Sequence, residues 1–184
     1  SFSMAGSVYK IAQEFDGTQM DTALDYITPF KNQNATVNAT LNQQRDSSKA
    51  DLVSLMIDGT KNKGWAGLGW KLNTVTGNSS LAYNSILHTV SSMTFSHECG
   101  HNMGLGHDAN QGSKGIFSNS WGNHFTASGK GYRTIMAYNK TGFSTRVNLF
   151  SGPSVTYQGA ATGSSLADSA GTLKQTGGPV SMYK

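Results

Sequence analysis

A single cysteine, Cys99, stands in this chain of 184 residues, so no intramolecular disulfide can form, and stability must come from packing or from a bound metal. Charge is scarce as well, at 13% of residues against about 25% in an average soluble protein, an atypical composition for the cytosol. The balance is +4, but the basic residues are scattered and do not interleave with aromatics as in a nucleic-acid groove. No apolar run approaches the roughly 18 residues of a membrane span; the longest strong cluster, Leu52 to Ile57, is broken by Ser54. The chain opens Ser1-Phe2-Ser3, without Met or a charged, then apolar leader. The expectation is a secreted, extracellular protein whose signal and any pro-segment have been removed. There is no internal repeat and no Pro-rich or charged linker, which favours one domain spanning 1–184, with an upper part to about residue 107 and a lower part over about 108–184.

What is present argues for a packed core. Hydrophobic residues reach 36% and aromatics 10%, unlike a disordered chain. Four Asn-x-Ser/Thr sequons, at Asn34, Asn38, Asn78 and Asn139, barely exceed the about three expected by chance. Ser7 to Phe15 reads as a strand, Asp21 to Phe30 as a short helix stopped near Pro29, and Asn34 to Arg45 as a second helix. Lys49 to Asp58 reads as a buried strand, and Gly64 to Leu72, where Trp65, Leu68 and Trp70 alternate with glycines, as an edge strand. Ala82 to Val90 is a further strand, followed by a helix from Ser92 to Met103 with Gly104 as its left-handed cap. Gly106 to Lys130 and Tyr157 to Gly163 are turn-rich, and Leu166 to Leu173 offers a closing helix before Gly177-Gly178-Pro179.

The informative stretch is His97-Glu98-Cys99-Gly100-His101-Asn102-Met103-Gly104-Leu105-Gly106-His107-Asp108, the pattern HExxHxxGxxHD. From this composition, its His, Glu and Gly fall at these spacings by chance roughly once in 10⁵. Histidines four apart share a helix face, so His97 and His101 can present ring nitrogens to one Zn²⁺. A turn at Gly104 brings His107 round as third ligand, and three protein ligands leave the fourth position to water, as in a catalytic site. Glu98, one of only two glutamates, is placed to act as general base on that water.

These residues resemble the signature of the metzincin zinc endopeptidases, and His101-Asn102-Met103-Gly104 with Asp108 is most similar to the adamalysin or reprolysin branch. Thr134-Ile135-Met136-Ala137-Tyr138, with Met136 lying 29 residues after His107, resembles the Met-turn of that family. Gly131 to Tyr138 and Ser144 to Ser151 look like the bacterial reprolysin-like branch. The resemblance runs from about Ala50 to Leu173. It implies an α/β fold, a metzincin-type twisted mixed β-sheet with an active-site helix and a smaller loop-rich C-terminal subdomain. It implies one catalytic Zn²⁺ on His97, His101 and His107, Glu98 as catalytic base, and a monomer cutting protein or peptide substrates held in extended conformation, with Gly64 to Leu72 as the rim that binds them. Met136 would be an apolar floor under the imidazoles. Tyr138 matches a position where some metzincins place a tyrosine that reaches the zinc or the oxyanion; a packed turn tyrosine is the other reading.

Cys99 reads as a buried thiol off the ligand face, Asp108 as a brace for the Met-turn, and His88 and His124 as structural. A zinc-stabilised module that grips polypeptides without cutting is the alternative, though it has no need of Glu98. A clan with a downstream Glu ligand fails because no Glu follows His107.

Overall fold

The computed structural model describes residues 8–90, 92–112 and 114–184. The chain folds as two compact units, one comprising the chain up to Trp70, Asn78–Asn102 and Val180–Lys184, the other Lys71–Gly77 and Met103–Pro179.

The first unit is a mixed α/β structure. Its sheet runs in the order β1-β2-β4-β3 through β1 (Asp16–Gly17), β2 (Val53–Asn62), β4 (Tyr83–Leu87) and β3 (Gly67–Gly69). β2 is parallel to β1 and β4, whereas β3 is antiparallel to β4 and forms the sheet edge expected of the Gly-Trp segment. β4 lies between two neighbours, and all five of its residues are buried.

Helix α1 (Met20–Ile27) buries Met20, Ala23, Leu24 and Ile27, the i, i+3, i+4, i+7 stripe of one helix face. It ends because Thr28 precedes Pro29 and is extended. Its stripe packs in two clusters, with Phe15, Ile57 and Leu87 in one and Tyr83 in the other. Helix α2 (Ala35–Ser48) starts where the Asn34 side chain accepts from the Val37 N–H at 3.0 Å.

Two boundaries differ from the sequence reading. α2 runs on past Arg45, and β2 begins only at Val53, because the Arg45 guanidinium donates to the Ala50 and Asp51 carbonyls while Lys49 takes the left-handed conformation at φ 55°. β2 is also half-buried, with Ile57 inside and Met56 65% exposed. The strand expected over Ser7 to Phe15 is not one. Ser7 lies outside the described residues, and residues 8–15 carry no strand: Val8 is exposed, and pairing with β2 begins at Asp16.

The second unit is built from short hairpins. β5 (His124–Ala127) and β6 (Lys130–Arg133) pair antiparallel across Ser128-Gly129, both at positive φ, as a two-residue hairpin turn requires. β7 (Thr145–Arg146) joins β6 in parallel, and β8 (Thr156–Tyr157) pairs with β9 (Ala160–Ala161) across Gln158-Gly159. Part of the stretch read as turn-rich, Gly106 to Lys130, is therefore strand. Helix α4 (Ser169–Val180) does not stop before Gly177; it continues through both glycines and Pro179 to Val180. Buried Thr176 donates to the Met103 and Thr172 carbonyls, so tertiary contact carries the helix through residues that would end it alone. Among the described residues no helix is long and apolar enough to cross a membrane.

Candidate metal centre

Helix α3 (Ser92–Asn102) places His97 and His101 one turn apart, both buried, with ring centroids 4.9 Å apart and nearly perpendicular. Glu98 is 4% exposed and lies with its side chain against Gly67 and Gly69 of β3. Cys99 is fully buried, with its Sγ 3.9 Å from the Asn84 amide nitrogen. Burial pushes its thiol up to about 12. The thiol therefore stays protonated at neutral pH, and iodoacetamide at pH 8 is expected to leave the native protein unmodified and to label Cys99 once guanidinium unfolds it, as read by mass spectrometry.

The helix ends at Asn102, which is fully buried. Its amide nitrogen is within hydrogen-bonding distance of the Trp70, Leu81 and Tyr83 carbonyls, at 2.8, 3.0 and 2.9 Å, and its Oδ1 accepts from Asn84 Nδ2 at 2.7 Å. This one side chain ties the end of α3 to β4 and to the chain beyond β3. Asn102→Leu strands several buried polar groups at about 1–3 kcal/mol each. Thermal unfolding should show a loss of roughly 3 kcal/mol, or about 6–12 °C in Tm for a chain of this size.

In the second unit, Gly104 turns the chain out of the helix at φ 92°, and its carbonyl accepts from Ile116 N. His107 follows, held through its own carbonyl by Gly122 N at 2.6 Å. Asp108 braces the turn beyond: Oδ1 accepts from Asn110 N and Oδ2 from Tyr138 N, each at 3.1 Å. Thr134 to Ala137 closes as a turn, with Met136 fully buried among Leu105 and Ile135. Arg133 Nη1 donates to the Ala137 carbonyl at 2.8 Å and secures its exit. The Tyr138 hydroxyl lies 3.0 Å from His107 Nε2, the rings 4.2 Å apart, and the tyrosine is 40% exposed.

Among the described residues, His97, His101 and His107 form a group able to hold a metal ion, each offering one atom and all three atoms within 4.8 Å of one another. Burial lowers the His107 imidazole from its usual range, Asp108 partly offsetting this and Lys71 adding to it. That favours the neutral ring a metal needs. His88 and His124 are outside this group: His88 Nδ1 accepts from Gly59 N of β2 at 3.2 Å, and His124 Nε2 lies 2.8 Å from the Tyr138 carbonyl.

The model of metallo-peptidase family M12, reprolysin type, matches residues 8–151. The chain belongs to this family. Peptidyl-Asp metalloendopeptidases of Stenotrophomonas maltophilia are similar to it, at 29% identity over 78% of the chain for strain K279a and 28% over 86% for strain R551-3. The aligned part is only 34% and 38% of those relatives' lengths. A solved chain from the structure of a chaperone-substrate complex shares the fold, with TM-score 0.64 over 96% of this chain and 26% of its own, at 19% identity.

An M12 metallo-peptidase implies a metal, and three clustered imidazoles, the nitrogen-donor set that suits zinc, fit one. Sequence reasoning met Asn102 and Arg133 only as members of motifs and gave them no role, because their partners lie far off in the chain or are main-chain groups. It read the glycines of β3 as edge-strand residues and missed their contact with Glu98.

Proposed function

We propose that this chain is the catalytic domain of a secreted zinc endopeptidase. The observation that carries the reading is the three-histidine cluster with Glu98 buried next to one of its members in the helix. His97, His101 and His107 would hold a single zinc ion, which when bound supplies Lewis-acid chemistry, polarising the scissile carbonyl and acidifying a water. The Glu98 carboxylate takes a proton from the attacking water and delivers it to the leaving amine. Tyr138 offers its hydroxyl hydrogen to the carbonyl oxygen as charge builds there. A non-cutting polypeptide-binding module would give Glu98 no task.

Substrate binding follows from the phase of β3. Trp70 N donates to the Tyr83 carbonyl and Leu87 N to the Ala66 carbonyl, so Ala66, Leu68 and Trp70 turn their main-chain groups to β4. Gly67 and Gly69 then turn theirs to the open edge, where an extended peptide adds as a further strand. The name of the relatives suggests cutting beside aspartate. A cavity of about 320 Å³ in the second unit supports this, because Lys140 lines it as a cation for a carboxylate, while the Asp108 carboxylate also present already accepts two main-chain N–H groups.

A digest of a mixed peptide library, with and without a zinc chelator, tests the proposal. Cleavage abolished by the chelator, restored by zinc and concentrated at aspartate is expected, with one zinc per chain by metal analysis. Chelator-resistant cleavage, or none by the zinc-loaded protein, sinks it; cleavage indifferent to aspartate removes the specificity alone.

A further inference from the structure

Side chains alternate along a strand, so Leu68 projects from one face of β3 and positions 67 and 69 from the other. Leu68 packs toward Leu24, Ile27 and Tyr83. The two glycines face α3. A Cβ built on Gly67 would lie 2.7 Å from both Cγ and Oε1 of Glu98, and 2.9 Å from its Cδ. One built on Gly69 would lie 3.1 Å from the Glu98 main-chain oxygen, 3.2 Å from Oε2 and 3.3 Å from Asn84 Cβ. Neither glycine adopts a positive φ, so the conformation is open to any residue and the close approach is what excludes a side chain.

We propose that Gly67 and Gly69 are positioning residues for Glu98: the side chains they lack leave the slot in which its carboxylate lies. The inference rests on the proposed role of Glu98 as base and adds what aims it. β3 then does two separate things. Its outward main-chain groups serve the substrate, and its missing Cβ atoms set the direction of the carboxylate.

The two positions differ in a useful way. At Gly67 the atoms nearest to a methyl all belong to the Glu98 side chain beyond its Cβ, which is flexible enough to shift. At Gly69 it also meets the backbone of α3. Gly67→Ala therefore moves the carboxylate while keeping the fold, and it keeps the main-chain N–H that the substrate would use.

Zinc-loaded Gly67→Ala is expected to lose at least about tenfold in kcat, since a misplacement of about 1 Å can cost about 10²-fold. KM should stay within about twofold and metal content unchanged. A second readout needs no activity. The chain has two glutamates, Glu14 and Glu98, so protein labelled with carboxyl-¹³C glutamate gives two side-chain signals. In the apo-protein, Gly67→Ala should move the Glu98 signal and leave that of Glu14 in place.

A kcat within about threefold of wild type, or an unmoved Glu98 signal, overturns the proposal. So does a fall in kcat that arrives with lost metal and a large drop in Tm, which would make Gly67 a packing residue only. Should wild-type protein cut no peptide at all, the peptidase reading fails by itself, and the carboxyl signal still decides whether Gly67 holds the Glu98 side chain in place.

Discussion

Glu98→Gln is expected to keep its zinc and its fold while kcat drops by about 10²–10⁴, the usual contribution of a positioned acid–base group. Gln is the informative replacement because Glu98 is buried against Gly67 and Gly69, and an amide of nearly the same shape fills that space where Ala would leave a hole. An amide cannot take the proton from water, nor return it to the leaving amine. KM should change little, since the group acts on the reacting atoms and contributes little to holding the peptide. Metal analysis on the variant separates loss of the base from loss of the ion. Hydrolysis at more than about a third of the wild-type rate would remove Glu98 from the mechanism.

Some of this was open to sequence reasoning because it is local. The spacing of His97 and His101 and the apolar stripe of Met20, Ala23, Leu24 and Ile27 are both helix periodicity, and helical bonds close within a few residues. Strands depend on partners that no local pattern supplies: residues 8–15 form no strand, and the contact with β2 starts only where the Phe15 carbonyl accepts from Asp58 N and Asp16 pairs with β2. α4 shows the same override from the other side, since Gly177-Gly178-Pro179 read as a stop and Thr176 holds the helix past it. The reach of Asn102 to Leu81 and Asn84, and of Gly67 to Glu98, spans 18 to 31 positions and becomes visible only in three dimensions. The spacing that lets the histidines cluster is therefore legible in a single sequence, whereas the side chains and gaps around them and around Glu98 are not.

Tyr138→Phe should reduce kcat by about 10²–10³, equivalent to about 2.7–4 kcal/mol, if its hydroxyl donates to the developing oxyanion. Three features motivate this. The hydroxyl is 3.0 Å from His107 Nε2, on a member of the metal-binding group. The main chain of Tyr138 is pinned at its N–H by Asp108, and its carbonyl lies 2.8 Å from His124 Nε2, so the ring is presented from a fixed base. At 40% exposure, the tyrosine is not buried as a residue held by packing alone would be. Phe preserves the ring against His107 and removes only the hydroxyl. Loss of one half-exposed hydrogen bond costs about 0.5–1.5 kcal/mol of stability, or no more than about 6 °C in Tm. A packing role predicts that small stability change and little else. Three measurements divide the cases: steady-state kcat and KM, zinc content, and thermal unfolding. A kcat reduced less than about threefold with zinc retained would strike Tyr138 from the catalytic residues. Zinc lost in proportion to activity would make it a ligand instead, and the oxyanion role would fall with that result too.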